Sequence, residues 1–201
     1  MGILGAALGR INGQIVPFDW AHDERQALVA SFVIGIESCE NAIAEGRYLQ
    51  ALALLRQEME IVARIKTVRS SRKKARKQCP NISVLRNSSL ARLYGELSEA
   101  AHVSTHQIVR AATEYEIPGD DLPGPTSGTR NFPAFDKGLA RRSFGLHLAL
   151  TLELLREFII DLHQRYHDGV EEREIEAINL ALQLMQSEGM IEGGTRVEFK
   201  A

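Results

Sequence analysis

Cysteine is scarce in this sequence: two residues, Cys39 and Cys79, in a chain of 201. They form neither a CxxC pair nor a metal-knuckle spacing, so no disulfide framework is implied and reduced thiols in a cytoplasmic compartment are expected. A large charge of one sign is missing as well. The net charge of −2 excludes a chain that attracts nucleic acid as a whole, and any such binding has to come from a local patch. The opening MGILGAALGRINGQIVPFDW has an apolar stretch too short to span a bilayer and no basic residues before it. Neither a signal peptide nor a membrane partner is expected. Ala6 stands where a myristoylation motif wants Ser or Thr, so Gly2 gives no acylation signal. A phosphate-binding glycine loop is lacking too, because PGPTSGTR has no lysine. No nucleophile elbow, thiol–histidine pattern or internal repeat is found.

What is present is an ordinary globular composition, 44% hydrophobic and 25% charged, with helical periodicity along most of its length. Over 21–44, Leu28, Phe32, Ile36, Cys39 and Ile43 recur at three- and four-residue steps, and Gly46 fits a C-terminal stop. From residue 47, Leu52, Leu55, Met59 and Val62 make the seam of a second helix. The short connection makes the two an antiparallel hairpin. The second helix is expected to run on to Pro80. A third covers 83–101, a short piece covers 105–115, a long leucine-rich helix covers 135–166, and a last amphipathic one covers 171–187. Between them, 116–136 carries Pro118, Pro123, Pro125 and Pro133 and reads as a long loop. The expected fold is an all-α bundle of about five helices spanning 21–189, with a flexible arm at 1–20 and a loose tail at 190–201.

Two helices carry polar residues beside their seams. Arg56 and Glu60 lie four apart at the edge of the core: either a solvent-facing ion pair or polar groups turned inward for a purpose. On the third helix, Tyr94, Ser98 and His102 follow at four-residue steps on one face. These five could meet in a cluster whose members satisfy one another, although a histidine at a helix end can equally interact with the last carbonyls.

The stretches GRYLQALALLRQEMEIV and LYGELSEAAHVS, in that order, resemble a prokaryotic branch of the HEPN (higher eukaryotes and prokaryotes nucleotide-binding) superfamily. The likeness covers roughly residues 37–104. It implies a helical bundle, commonly a homodimer, whose active members cleave RNA without a metal, often in toxin–antitoxin or phage-defence systems. It further implies an arginine followed four to six residues later by a histidine. Arg142 and Arg141 with His147 match that signature, as do Arg156 and His163 with looser spacing. His147 is then the expected acid or base and Arg142 or Arg141 the phosphate clamp. The alternative is that the arginines are surface residues and His147 a satisfied helix residue.

The densest charge is KTVRSSRKKARK, with Lys66, Arg69, Arg72, Lys73, Lys74, Arg76 and Lys77 and no acid. It is either a nucleic-acid patch that holds phosphates without reading bases, or a solvated helix end. His102/His106 and His163/His167 have i,i+4 spacing, yet no metal and no cofactor is expected. The expected partners are RNA and an antitoxin or defence-system protein. The competing expectation is a non-catalytic interaction or assembly subunit, with the loop around Arg130 contacting a partner.

Overall fold

The computed structural model describes residues 2–15, 17–70, 82–85, 90–102, 106–116, 127–166 and 170–189. The chain is all-α: α1 (Gly2–Ile11), α2 (Trp20–Ala44), α3 (Tyr48–Ser70), α4 (Leu90–Ala101), α5 (His106–Thr113), α6 (Lys137–Arg165) and α7 (Glu172–Ser187). A 3-10 turn, Ile82–Leu85, stands where the third helix was expected to begin. The continuation of the second helix over 71–80 and the tail at 190–201 lie outside the described residues.

Local chemistry sets the helix ends. The Asp19 side chain accepts from the Ala21 amide at 3.1 Å and opens α2; Asp136 accepts from Leu139 at 2.7 Å and opens α6. Glu171 and Glu174 form a capping box at the start of α7. Gly46, between α2 and α3, has φ 72°, and a Cβ there would stand 2.5 Å from the Ala134 carbonyl oxygen. That close approach presses the α2–α3 turn against the entry to α6. Tyr48 secures the same junction: its hydroxyl donates to the Asp136 carbonyl at 2.9 Å and accepts from the Asp136 amide at 2.8 Å.

The core lies between α2, α3 and α6, built on Phe32, Leu55, Met59, Leu150, Leu154, Phe158 and Leu162. Burying side chains of this size contributes roughly 1.5–3 kcal/mol each. By length and composition α2 would also pass for a membrane-crossing helix. Here its apolar stripe, Val29, Phe32, Ile36, Cys39 and Ile43, is buried, and its neighbours are α3 and α6.

Two expectations change. The segment expected as a flexible arm forms α1, where Ala7 is buried and Arg10 reaches Glu171 at 3.2 Å and Glu174 at 2.6 Å. The long loop contains a strand: β2 (Ser127–Thr129) pairs antiparallel with β1 (Glu114–Glu116), Tyr115 standing opposite Gly128. A Cβ at Gly128 would stand 2.7 Å from the Tyr115 ring, so glycine is what lets this aromatic lie across the ladder.

Candidate functional site

Helices α3 and α4 pack against each other, and the steps of four on each bring the expected polar residues together. Arg56 donates through Nε to Glu60 Oε1 at 3.0 Å, while Tyr94 donates its hydroxyl to the same oxygen at 2.9 Å. Arg56 Nη1 meets His102 Nε2 at 2.9 Å, and its guanidinium lies 5.6 Å from the Tyr94 ring centroid. Since an arginine nitrogen can only donate, His102 presents Nε2 as a lone pair and carries its proton on Nδ1. Tyr94, followed by the charge of Glu60, raises Arg56 above its already high value and keeps it cationic. Ser98 takes part only through its backbone, whose carbonyl accepts from the His102 amide at 3.1 Å. The cluster is graded from inside to outside. Arg56 is 19% exposed, whereas His102, at the end of α4, is open to solvent.

The expected trio does not come together. His147 is 1% exposed, with Nδ1 at 2.9 and 3.0 Å from the two Glu58 oxygens. Arg141 and Arg142 project from the solvent side of α6: Arg141 donates to the Glu188 carbonyl at 2.6 Å and Arg142 to the Gly138 carbonyl at 3.4 Å. The physical reason is angular. Residues five apart on a helix are about 140° from each other, so a core-facing histidine leaves Arg142 outside. A phosphodiester in solvent cannot reach this imidazole, and the arginines cannot hold one beside it.

The basic stretch begins neutralised. Lys66 pairs with Glu153 at 2.7 Å and stands 3.7 Å from Glu157, and Arg69 reaches Glu157 at 3.0 Å. Burial pushes the Glu157 carboxyl up, with Arg69 and Lys66 opposing that shift. Arg72, Lys73, Lys74, Arg76 and Lys77 lie outside the described residues, as does Cys79. Of the histidine pairs, His102 is the turn residue just past α4 and His106 begins α5, so the first is not on one helix. His163 is exposed on α6, and His167 is outside the described residues.

Two buried constellations escaped sequence reasoning. In one, Asp161 of α6 accepts from Arg25 Nε at 2.8 Å and from Arg25 Nη2; its other oxygen meets His22 Nδ1 at 2.8 Å and Gln26 Nε2 at 3.2 Å. In the other, Cys39 of α2, Glu58 of α3 and His147 of α6 each offer a ligand atom, all within 4.8 Å of one another. Burial and the neighbouring Glu58 push the Cys39 thiol well up. These three are the described residues that could hold a metal ion. No spacing in the sequence announces either group, because Asp161 lies over a hundred residues from its partners on α2, and Cys39, Glu58 and His147 come from three different helices.

No protein-family model matches this chain, and neither a curated protein nor a solved structure does. The chemistry of the polar clusters therefore carries the functional reading.

Proposed function

We propose that this chain is a cytoplasmic HEPN-like protein that engages RNA and cleaves it without a metal at the Arg56–His102 pair, as a homodimer in a defence or toxin system with an antitoxin or defence protein as partner. The observation that supports this reading is a guanidinium and a neutral imidazole nitrogen 2.9 Å apart at a solvent-facing helix end, braced by Glu60 and Tyr94. A phosphate oxygen can replace His102 as the acceptor for Arg56 Nη1. That exchange binds the phosphate and frees the Nε2 lone pair in one step.

His102 then takes the proton of the adjacent 2′-hydroxyl. The 2′-oxygen bonds to phosphorus, the bond to the 5′-oxygen breaks, and the leaving oxygen takes a proton from a water that in turn recovers the proton held by His102. The products are a 2′,3′-cyclic phosphate and a 5′-hydroxyl end. Arg56 offsets the charge that builds on the phosphate. Glu60 and Tyr94 hold Arg56 in place, and residues 72–77 add phosphate contacts that carry no base preference.

The test is incubation of the purified chain with a labelled RNA pool in EDTA, with circular dichroism confirming that the helices persist. Wild type is expected to cleave; His102→Ala is expected to lose about 10²–10⁴-fold in rate. RNA left intact by wild type, or cut equally well by His102→Ala, overturns the nuclease reading. Salt-sensitive RNA binding without cleavage, lost on charge reversal across 72–77, reduces it to a binding module. One observation favours a second reading, the non-catalytic interaction subunit: the polar groups of the cluster already find partners within it. In that case the cluster clamps α4 onto α3, and His102→Ala lowers the melting temperature while RNA stays untouched.

A further inference from the structure

We propose that Cys39, Glu58 and His147 form a buried zinc site that ties α2, α3 and α6 together. The donor set is the first argument. A thiolate, a carboxylate and an imidazole are all established zinc ligands, and a soft sulfur beside a borderline nitrogen selects zinc over magnesium or calcium. Their placement is the second. Each comes from a different helix, all are buried, and their ligand atoms stand within 4.8 Å of one another.

The orientation of His147 supplies the third. Its Nδ1 faces the two Glu58 oxygens at nearly equal distances of 2.9 and 3.0 Å, so one ion can take Nδ1 and both oxygens, with the Cys39 sulfur completing four positions. Its Nε2 faces Glu40, whose carboxylate is 3.7 Å away and half exposed. A carboxylate behind a metal-bound imidazole fixes the ring proton on the far nitrogen and leaves the near one free to coordinate. At 3.7 Å Glu40 is within ion-pair distance but not hydrogen-bonded, so it becomes a positioning residue once its half-exposed carboxylate closes on Nε2. Without the ion, Nδ1–H donates to Glu58, and the buried Cys39 sulfur lies within 4.8 Å of the same carboxylate. On binding, the thiol proton leaves to solvent and the imidazole proton sits on Nε2.

The test is metal analysis of the purified full-length chain, any affinity tag removed, followed by cobalt(II) titration with optical detection. Uptake is expected to saturate near one ion per chain, with the visible bands of a tetrahedral site and a thiolate-to-cobalt charge-transfer band in the near ultraviolet. Zinc should bleach both. Cys39→Ser should abolish the charge-transfer band while retaining helical circular dichroism, and Cys79→Ser should leave it unchanged. Glu40→Ala, at a half-exposed position that does not threaten the fold, should weaken cobalt binding by about 10- to 100-fold. The assignment is overturned if wild type takes up no stoichiometric cobalt or zinc. It is overturned equally if the band survives Cys39→Ser or disappears in Cys79→Ser.

Discussion

Removing the carboxylate of Asp161 is the sharpest probe of what holds α6 in place. Asp161→Ala leaves Arg25 cationic, its side chain 7% exposed, and takes away the acceptor of both Nε and Nη2. His22 and Gln26 lose the same partner. Breaking one side of a buried pair costs about 3–5 kcal/mol, chiefly the penalty of the charge left behind. For a chain of this size that converts to a fall in melting temperature of roughly 6–20 °C. Urea denaturation followed by circular dichroism measures it, the midpoint moving while the slope stays constant. The companion variant removes both charges, Asp161→Leu with Arg25→Met, and should recover most of the loss because no orphaned ion remains. A single variant that loses less than about 1 kcal/mol, or a double variant no better than the single, would refute this account.

Two further perturbations probe other parts of the fold. Gly46→Ala should destabilise by about 1–3 kcal/mol from its positive φ alone, with more from displacing the Ala134 carbonyl, read as a lower urea midpoint. Glu157 gives a pH signature: burial raises its folded-state value above the ordinary 4.5, so the folded chain holds this proton more tightly than the unfolded one. Stability from this group is greatest below the unfolded value and falls as pH rises through the folded one. Glu157→Gln should flatten that fall, measured as the change in urea midpoint between about pH 4 and about pH 7.

Much of the helical layout could be read from the chain because its causes are local. The seam of Leu55, Met59 and Val62, the stop at Gly46 and the opening cap at Asp136 all act within a turn or two of themselves. The grouping of Arg56 and Glu60 with Tyr94 and His102 was legible for a related reason. Arg56 and Glu60 stand one four-residue step apart on α3, Tyr94 and His102 stand two such steps apart along and just past α4, and only the packing of α3 on α4 had to be supplied. What stayed hidden is non-local. Glu58, Asp161 and Glu157 are charged residues in amphipathic helices, a setting in which charge ordinarily means solvent. They are buried because partners 136 residues away, as for Arg25 and Asp161, or 89 away, as for Glu58 and His147, reach them across the bundle. The strands β1 and β2 are three residues each and exist through mutual pairing, which no window of sequence contains. The docking of α1 depends likewise on Arg10 meeting Glu171 and Glu174, far along the chain.

The polar residues buried along α6 have a consequence for alignment. A helix carrying Leu146, Leu150, Leu154 and Leu162 could slide by one turn, about 5.4 Å, and still bury apolar side chains against its neighbours, since leucines are nearly interchangeable in such a seam. His147, Glu157 and Asp161 are not interchangeable: one answers Glu58, one answers Lys66 and Arg69, and one answers His22 and Arg25. A slip in either direction would strand these polar groups and their partners at once in the interior, at a cost of several kcal/mol for each ion left unpaired. The leucines thus supply an attraction with no preferred position, while the three polar groups work like the teeth of a key and admit a single register.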